Sequence, residues 1–216
     1  MSPATRSSWA RRAATAGAAA ASVATVAATL ALTAGPASAE AKAKVHASYK
    51  VTGSTFLKGP NFSLSLGPGT LASTLNPANG NLTADLTMPD ATGSFKQAGL
   101  IPVTATTRFI NVGKTTGKLN LNTGSVATTS QITLQITKLI VSGLPVPVGP
   151  RCETAQPVVV QLKSQKGFNV LKGGKVAGVY TIGKFQHCLL ATPLINATIP
   201  ASGNTITLKL GKAKLG

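Results

Sequence analysis

The sequence predicts an all-β protein, either an antiparallel β-sandwich or a barrel-like sheet, with one short helical segment. Three observations lead to this fold class. Many short stretches alternate apolar and polar residues with the period of two that a half-buried strand requires. Turns rich in Thr, Asn and Gly separate these stretches, and helical periodicity is nearly absent.

The clearest predicted element is a hairpin over residues 112–138, with its turn at residues 119–126. Apolar and polar residues alternate strictly after the turn, from Ile132 to Thr137. A similar turn lies 44 residues earlier, where Gly80 corresponds to Gly124 and Asn76 to Asn120. We therefore expect a β-unit that is used about twice.

The other strands are predicted from the same alternation. They are expected in residues 44–51, 62–66, 71–75, 82–88, 103–112, 158–162, 176–182 and 206–210. Residues 71–75 are expected to pair with residues 82–88. The glycines around Pro68 are expected to break a strand, and residues 89–99 to form a connector. A short helical turn is expected within residues 188–199, where Pro193 limits its length.

The amino terminus predicts an export signal. Arg6, Arg11 and Arg12 precede an uncharged run over residues 13–33, and the small residues Ala37 and Ala39 suit a cleavage site. We expect residues 1–39 to be a signal peptide and residues 40–216 to be a single secreted β-domain. General secretion fits better than twin-arginine export, because no large apolar residues follow the arginine pair. A membrane anchor is the alternative reading of the apolar run.

The expected mature domain is strongly basic. Removal of 39 of the 216 residues leaves 177, enough for one domain with its own core. Three of the 21 basic residues leave with the signal, so 18 basic and 4 acidic side chains remain, a formal charge of +14. Sixteen of these cations are lysines.

The two cysteines predict a disulfide. In an exported protein, a single pair such as Cys152 and Cys188 is typical of a structural bridge. A reactive thiol beside Arg151 or His187 is the alternative.

Few residues are suited to catalysis. Asp85 and Asp90 could form the carboxylate pair of a glycosidase, but two solvated acids are the commoner meaning of such residues. His46 and His187 are not at a metal-ligand spacing. The sequence therefore predicts a non-enzymatic protein without catalytic residues, cofactor or metal site, and an enzyme is the third hypothesis.

The lysines are the strongest indication of function. Two groups are dense in the sequence and are candidates for contact with a polyanion: Lys163, Lys166, Lys172, Lys175, Lys209, Lys212 and Lys214. Their expected partner is an anionic cell-wall polymer or a lipid surface. The alternative is a solvated surface that resists aggregation. Nucleic acid is not expected, since few aromatic residues accompany the lysines and the protein is exported.

An apolar run over residues 139–148 leads to a second hypothesis. If it lines an opening between sheets, the protein could carry an apolar ligand such as a lipid; otherwise the run is ordinary core. The candidate lining residues are Leu139, Ile140, Val141, Leu144, Val146 and Val148.

The sequence resembles uncharacterised secreted all-β proteins of high-GC Gram-positive bacteria, the actinobacteria. The similar segments are residues 66–71, 102–106, 147–152 and 203–208, and the resemblance extends over nearly all of residues 50–210. It implies export from an actinobacterial cell, and it brings no activity with it. We expect the mature protein to be extracellular or associated with the cell wall.

Overall fold

The structure is a computed structural model that describes residues 43–216, which belong to one compact unit, Glu40–Gly216. The predicted signal peptide lies outside the described residues. Within residues 43–216, no helix has the length and apolar character needed to cross a membrane.

This part of the chain is almost entirely strand and turn, so the predicted all-β class is confirmed. The strands are β1 (Val45–Leu57), β2 (Phe62–Leu75), β3 (Asn81–Thr87), β4 (Ala91–Gln97), β5 (Ile101–Asn111), β6 (Thr115–Leu119), β7 (Val126–Val141), β8 (Leu144–Pro145), β9 (Glu153–Thr154), β10 (Val158–Ser164), β11 (Gly174–Ile182), β12 (Phe185–Gln186), β13 (Ala201–Leu210) and β14 (Lys214–Leu215). A 3-10 turn, Leu189–Ala191, leads into the helix α1, Thr192–Thr198.

Eight antiparallel strands close into a barrel. Their order is β1-β2-β3-β6-β7-β10-β11-β13, and pairing of β13 with β1 closes the ring. Neighbours around the barrel therefore follow the chain order, as in an up-and-down barrel. Of the two predicted architectures, the barrel is the one that forms. Closure leaves no free edge on these eight strands.

The predicted connector at residues 89–99 is wrong, because most of it is strand β4. This strand pairs with β5, with Ala91 opposite Thr107 and Gln97 opposite Ile101. Its inward positions include Gly93, where a Cβ atom would meet the ring of Phe62. A small residue that packing requires thus concealed the alternation that marks a strand.

The predicted break at residues 67–69 is also wrong, because β2 continues through it. The pairing of β1 with β2 shifts there, with Val51 opposite Gly69 and Gly53 opposite Leu66. Gly67 has a φ of +86°, a conformation that glycine adopts without strain. Glycines within a strand mark a β-bulge in this case and not an end.

The two predicted hairpin turns are confirmed. Leu75 lies opposite Leu82, and Leu119 lies opposite Val126. In both turns the glycine amide donates to the carbonyl of the asparagine four residues earlier, at 2.8 Å. A third turn of this kind, which sequence reasoning missed, runs from Asn169 to Gly173 with a bond of 2.7 Å.

All three Asn-x-x-x-Gly turns lie at the same end of the barrel. We call this the loop end; it comprises the turns at residues 76–80 and 120–125, the loop at residues 165–173 and the carboxyl-terminal residues 211–216. The opposite end carries the helix and the disulfide, and we call it the helix end.

The predicted helical segment and the predicted disulfide are both confirmed at the helix end. Pro193 lies in the first turn of α1, where its missing amide does not interrupt the helix. Cys152 is bonded to Cys188, and both are fully buried. The side-chain amide of Asn196 bonds the backbone N–H and C=O of Phe185, which attaches α1 to β12.

Candidate functional site

The barrel interior contains three cavities that follow one another along its axis. The largest, about 140 Å³, lies at the loop end. The middle one is about 50 Å³ and the one near the helix about 60 Å³. Neighbouring cavities share walls, since Leu86 and Leu208 border the first two and Thr55 and Tyr180 border the second and third.

The loop-end cavity is formed by the inward side chains of all eight barrel strands. Alternation along β1 places Val45, Ala47, Tyr49 and Val51 on its wall. Side chains of the other strands complete it, among them Leu71, Ser73 and Leu75 of β2, Leu82, Ala84 and Leu86 of β3, Leu162 of β10, Val176 of β11 and Leu208 and Leu210 of β13.

Most polar side chains of this wall already have partners. The hydroxyl of Ser73 donates to the carbonyl of Ala47 at 3.1 Å, and the hydroxyls of Thr115 and Ser130 bond each other at 2.7 Å. The other polar side chains of the wall are Thr128 and Tyr49, whose phenol is bonded to the covering loop. Because these groups are used within the wall, the cavity presents an apolar surface to a guest.

The loop at residues 165–173 covers the cavity. Phe168, Val170 and Leu171 contribute to the lining from this side. The Tyr49 hydroxyl donates to the carbonyl of Val170 at 2.9 Å, and the amide of Ala213 donates to the carbonyl of Leu171 at 2.9 Å. Burial raises the pKa of Tyr49, which keeps its phenol protonated and able to donate. These two bonds hold the loop at residues 165–173 beside the mouth of the cavity.

The apolar run at residues 139–148 lies at the helix end and lines none of these three cavities. Leu139 and Val148 are buried in the core, Ile140, Val141 and Val146 are half-buried, and Leu144 is exposed. Since β7 extends to Val141 and pairs with β5 and β8, this run forms part of the wall and its edge. Leu139, Val146 and Val148 instead border an open pocket on the surface, separate from the three interior cavities.

All seven candidate lysines are exposed, and the fold brings both sequence groups to the loop end. Lys163 lies near the end of β10 and Lys166 follows it, while Lys172 and Lys175 flank the start of β11. Lys209 lies directly opposite Lys175 in the pairing of β13 with β11. The last two, Lys212 and Lys214, are in the carboxyl-terminal segment. Sequence reasoning missed Lys44 and Lys118, which are exposed at the same end.

The acidic side chains of residues 43–216 form no ion pair with the seven candidate lysines. Asp85 pairs with Lys114 at 3.3 Å, and Asp90 pairs with Arg108 at 3.1 Å. Glu153 is in β9 at the helix end. The two aspartates are therefore engaged with different cations on the outer surface.

The histidines are separate from each other and from these acids. His46 is on the outer face of β1, where its ring nitrogen and the Thr74 hydroxyl are 3.1 Å apart, and His187 precedes the disulfide-bonded Cys188. Residues 43–216 contain no group of three or more His, Cys, Asp or Glu side chains that could hold a metal ion.

The comparisons with family models, with curated proteins and with solved structures gave no match to this chain.

Proposed function

We propose that this protein is a non-enzymatic binding protein that holds a small apolar ligand in the loop-end cavity of its barrel. The observation that carries the proposal is the construction of this cavity. All eight barrel strands contribute inward side chains to it, and a separate loop covers it. Small barrels can hold one small ligand in this way.

The size of the cavity indicates the size of the guest. Its volume of about 140 Å³ is close to that of an engineered apolar cavity of about 150 Å³ that binds benzene or xenon. A guest of matching shape would gain van der Waals contacts with the apolar wall.

The chemistry of the wall supports a guest without charge. Ser73, Thr115 and Ser130 use their hydroxyls within the wall, so a charged group placed among them would lose its hydration without compensation. The ion pairs of Asp85 and Asp90 on the outer surface support the non-enzymatic part of the proposal.

We further propose that the protein acts outside the cell, at or near the envelope of an actinobacterium. The signal-peptide pattern of residues 1–39 and the disulfide support export, because disulfides persist in oxidising compartments. Detection of the mature protein in culture fluid or cell wall, beginning near Glu40, would test this.

A second candidate function is binding of an anionic envelope polymer through the loop-end lysines. Its support is the convergence of Lys163, Lys172 and Lys209, from three different elements, on one end of the barrel. Binding to purified cell wall should then weaken steeply with salt. Binding that is absent or independent of salt would contradict it.

The cavity proposal can be tested with benzene and xenon as probes of the mature protein. We expect saturable benzene binding that raises the melting temperature. The variant A47F should abolish the effect because the new ring fills the cavity. The matched control A72F adds the same ring to the exposed neighbour of Ser73 and should bind as the wild type does.

A third variant keeps the test decisive if A47F folds poorly. L71A removes three carbon atoms from the wall and should admit larger aromatic probes. Benzene binding that is unchanged in A47F, or absent from the wild type, would overturn the proposal.

A further inference from the structure

We propose that the loop end of the barrel docks on an anionic lipid bilayer. In this arrangement the lysines face the lipid phosphates and exposed leucines enter the headgroup region. The proposal concerns the outer surface and holds whether or not the cavity is filled.

Positive charge is concentrated at the loop end. Nine exposed lysines lie there: Lys44, Lys118, Lys163, Lys166, Lys172, Lys175, Lys209, Lys212 and Lys214. Within residues 43–216, Asp85 pairs with Lys114, Asp90 pairs with Arg108 and Glu153 lies in β9, so no acidic side chain forms an ion pair with these nine lysines. Lys175 and Lys209 are directly opposite each other, and like charges in this position destabilise a sheet. An anionic surface would relieve this repulsion.

Apolar side chains are exposed among these lysines. Leu121, Leu171 and Leu215 are 52%, 55% and 63% exposed, and each lies in a turn, a loop or the chain terminus. A soluble polyanion would need only the cations, whereas a bilayer can also take up the leucines. The combination therefore favours a lipid surface over a polymer.

The mouth of the cavity lies within the same surface. Leu171 and Leu215 belong both to the cavity lining and to the exposed apolar set, and so does Val45. A barrel docked in this way would place its mouth against the bilayer, from which an apolar guest could enter without crossing water.

The helix end provides matched controls. Leu100 and Leu190 are even more exposed, at 81% and 95%. Lys96 and Lys138 lie in β4 and β7 near that end. The same substitutions can thus be made at both ends of one barrel.

The test is flotation of the mature protein with vesicles of phosphatidylcholine alone or mixed with phosphatidylglycerol. We expect binding to the mixed vesicles that weakens with salt, and little binding to phosphatidylcholine. K172Q/K212Q should weaken the binding about 25-fold, at about fivefold for each lysine. K96Q/K138Q should change it less than about twofold, within the range expected for charges that face away from the bilayer.

Substitution of the exposed leucines distinguishes binding to a bilayer from binding to a soluble polymer. L121S/L171S should weaken vesicle binding at least about tenfold and leave binding to soluble polyphosphate unchanged. L100S/L190S should leave both unchanged. Absent vesicle binding, equal losses from the helix-end variants, or wild-type vesicle binding by L121S/L171S would each overturn the proposal. The last result would indicate a polyanion site only.

A47F should bind vesicles as the wild type does. Failure of the cavity proposal would therefore not contradict the docking proposal.

Discussion

Tyr180 donates a hydrogen bond to Thr55 across the middle of the barrel, with 2.6 Å between the two oxygens. The direction follows from the second bond of Thr55, whose hydroxyl donates its only proton to the carbonyl of Thr205 at 2.8 Å. This pair links β11 to β1 inside the barrel and separates the middle cavity from the cavity beside the helix.

Substitutions at the two residues of this pair should reduce the unfolding free energy by different amounts. Y180F removes the donor and leaves Thr55 bonded to Thr205, so we expect a loss of about 1 kcal/mol in unfolding free energy. T55V leaves the buried Tyr180 hydroxyl without its acceptor and should cost more, about 2 kcal/mol. Urea unfolding measures both. Equal losses would contradict the assigned direction.

Tyr49 and Tyr180 are the only tyrosines of the sequence, and the only tryptophan, Trp9, precedes the expected cleavage site. Burial raises the pKa of both phenols above the ordinary value of about 10. We therefore expect no tyrosine to titrate normally in the folded mature protein. Phenolate absorbance, compared in native and urea-unfolded samples, measures this.

The same shifts predict a loss of stability at alkaline pH. A phenol whose folded pKa is raised binds its proton more tightly in the folded state. Its contribution is fully present below about pH 10 and is lost as the pH rises through the folded value. Wild type and Y180F share all other titratable groups, so the contributions of these groups cancel in the difference between the two unfolding free energies. This difference should shrink above about pH 10, and a constant difference would contradict the shift.

Gly80 and Gly124 occupy equivalent positions in two turns but differ in their surroundings. Their φ values are +73° and +70°, so alanine is strained in both. Nothing lies near a Cβ at Gly124, whereas a Cβ at Gly80 would press on the carbonyl of Leu119. We expect G124A to cost about 1 kcal/mol and G80A about 3 kcal/mol. Thermal or urea unfolding gives both values, and a larger loss in G124A would contradict this ranking.

The elements of the fold that could be predicted are those that neighbouring residues in the sequence determine. The hairpin turns, the strand at residues 44–51 and the disulfide are signalled by alternation, by Asn and Gly, and by a single cysteine pair. Strand β4 was missed because Gly93 replaces an apolar residue where the ring of Phe62 needs the space. That requirement comes from another strand and cannot be read locally.

The types of residue at the loop end, exposed lysines and apolar lining, could be predicted from the sequence, but their location in the fold could not. The exposed lysines could be recognised one by one, but their convergence depends on where β10, β11 and β13 end. The apolar run at residues 139–148 was predicted to line a ligand site, and three of its residues border an open surface pocket and none of the interior cavities. The cavity is lined by alternate residues from short stretches of all eight strands. Only closure of the barrel brings these residues together.

The disulfide closes a loop of 36 residues, which lets its contribution be estimated. A loop of that length corresponds to about 3 to 4 kcal/mol in the chain-entropy model. Urea unfolding of oxidised and reduced protein should differ by this amount, and labelling of the exported protein should find no free thiol. A difference below about 1 kcal/mol would mean that the reduced unfolded chain already keeps Cys152 and Cys188 close together.

The bond from Tyr49 to Val170 should control access to the loop-end cavity. It is one of the bonds that hold the loop at residues 165–173 in place, and its loss should favour opening by about 1 kcal/mol. Y49F should therefore exchange xenon about fivefold faster than the wild type, as measured by xenon NMR. Y180F is the matched control, because it removes the other tyrosine hydroxyl and does not touch this loop. Equal exchange rates in the two variants would show that the guest enters by another route.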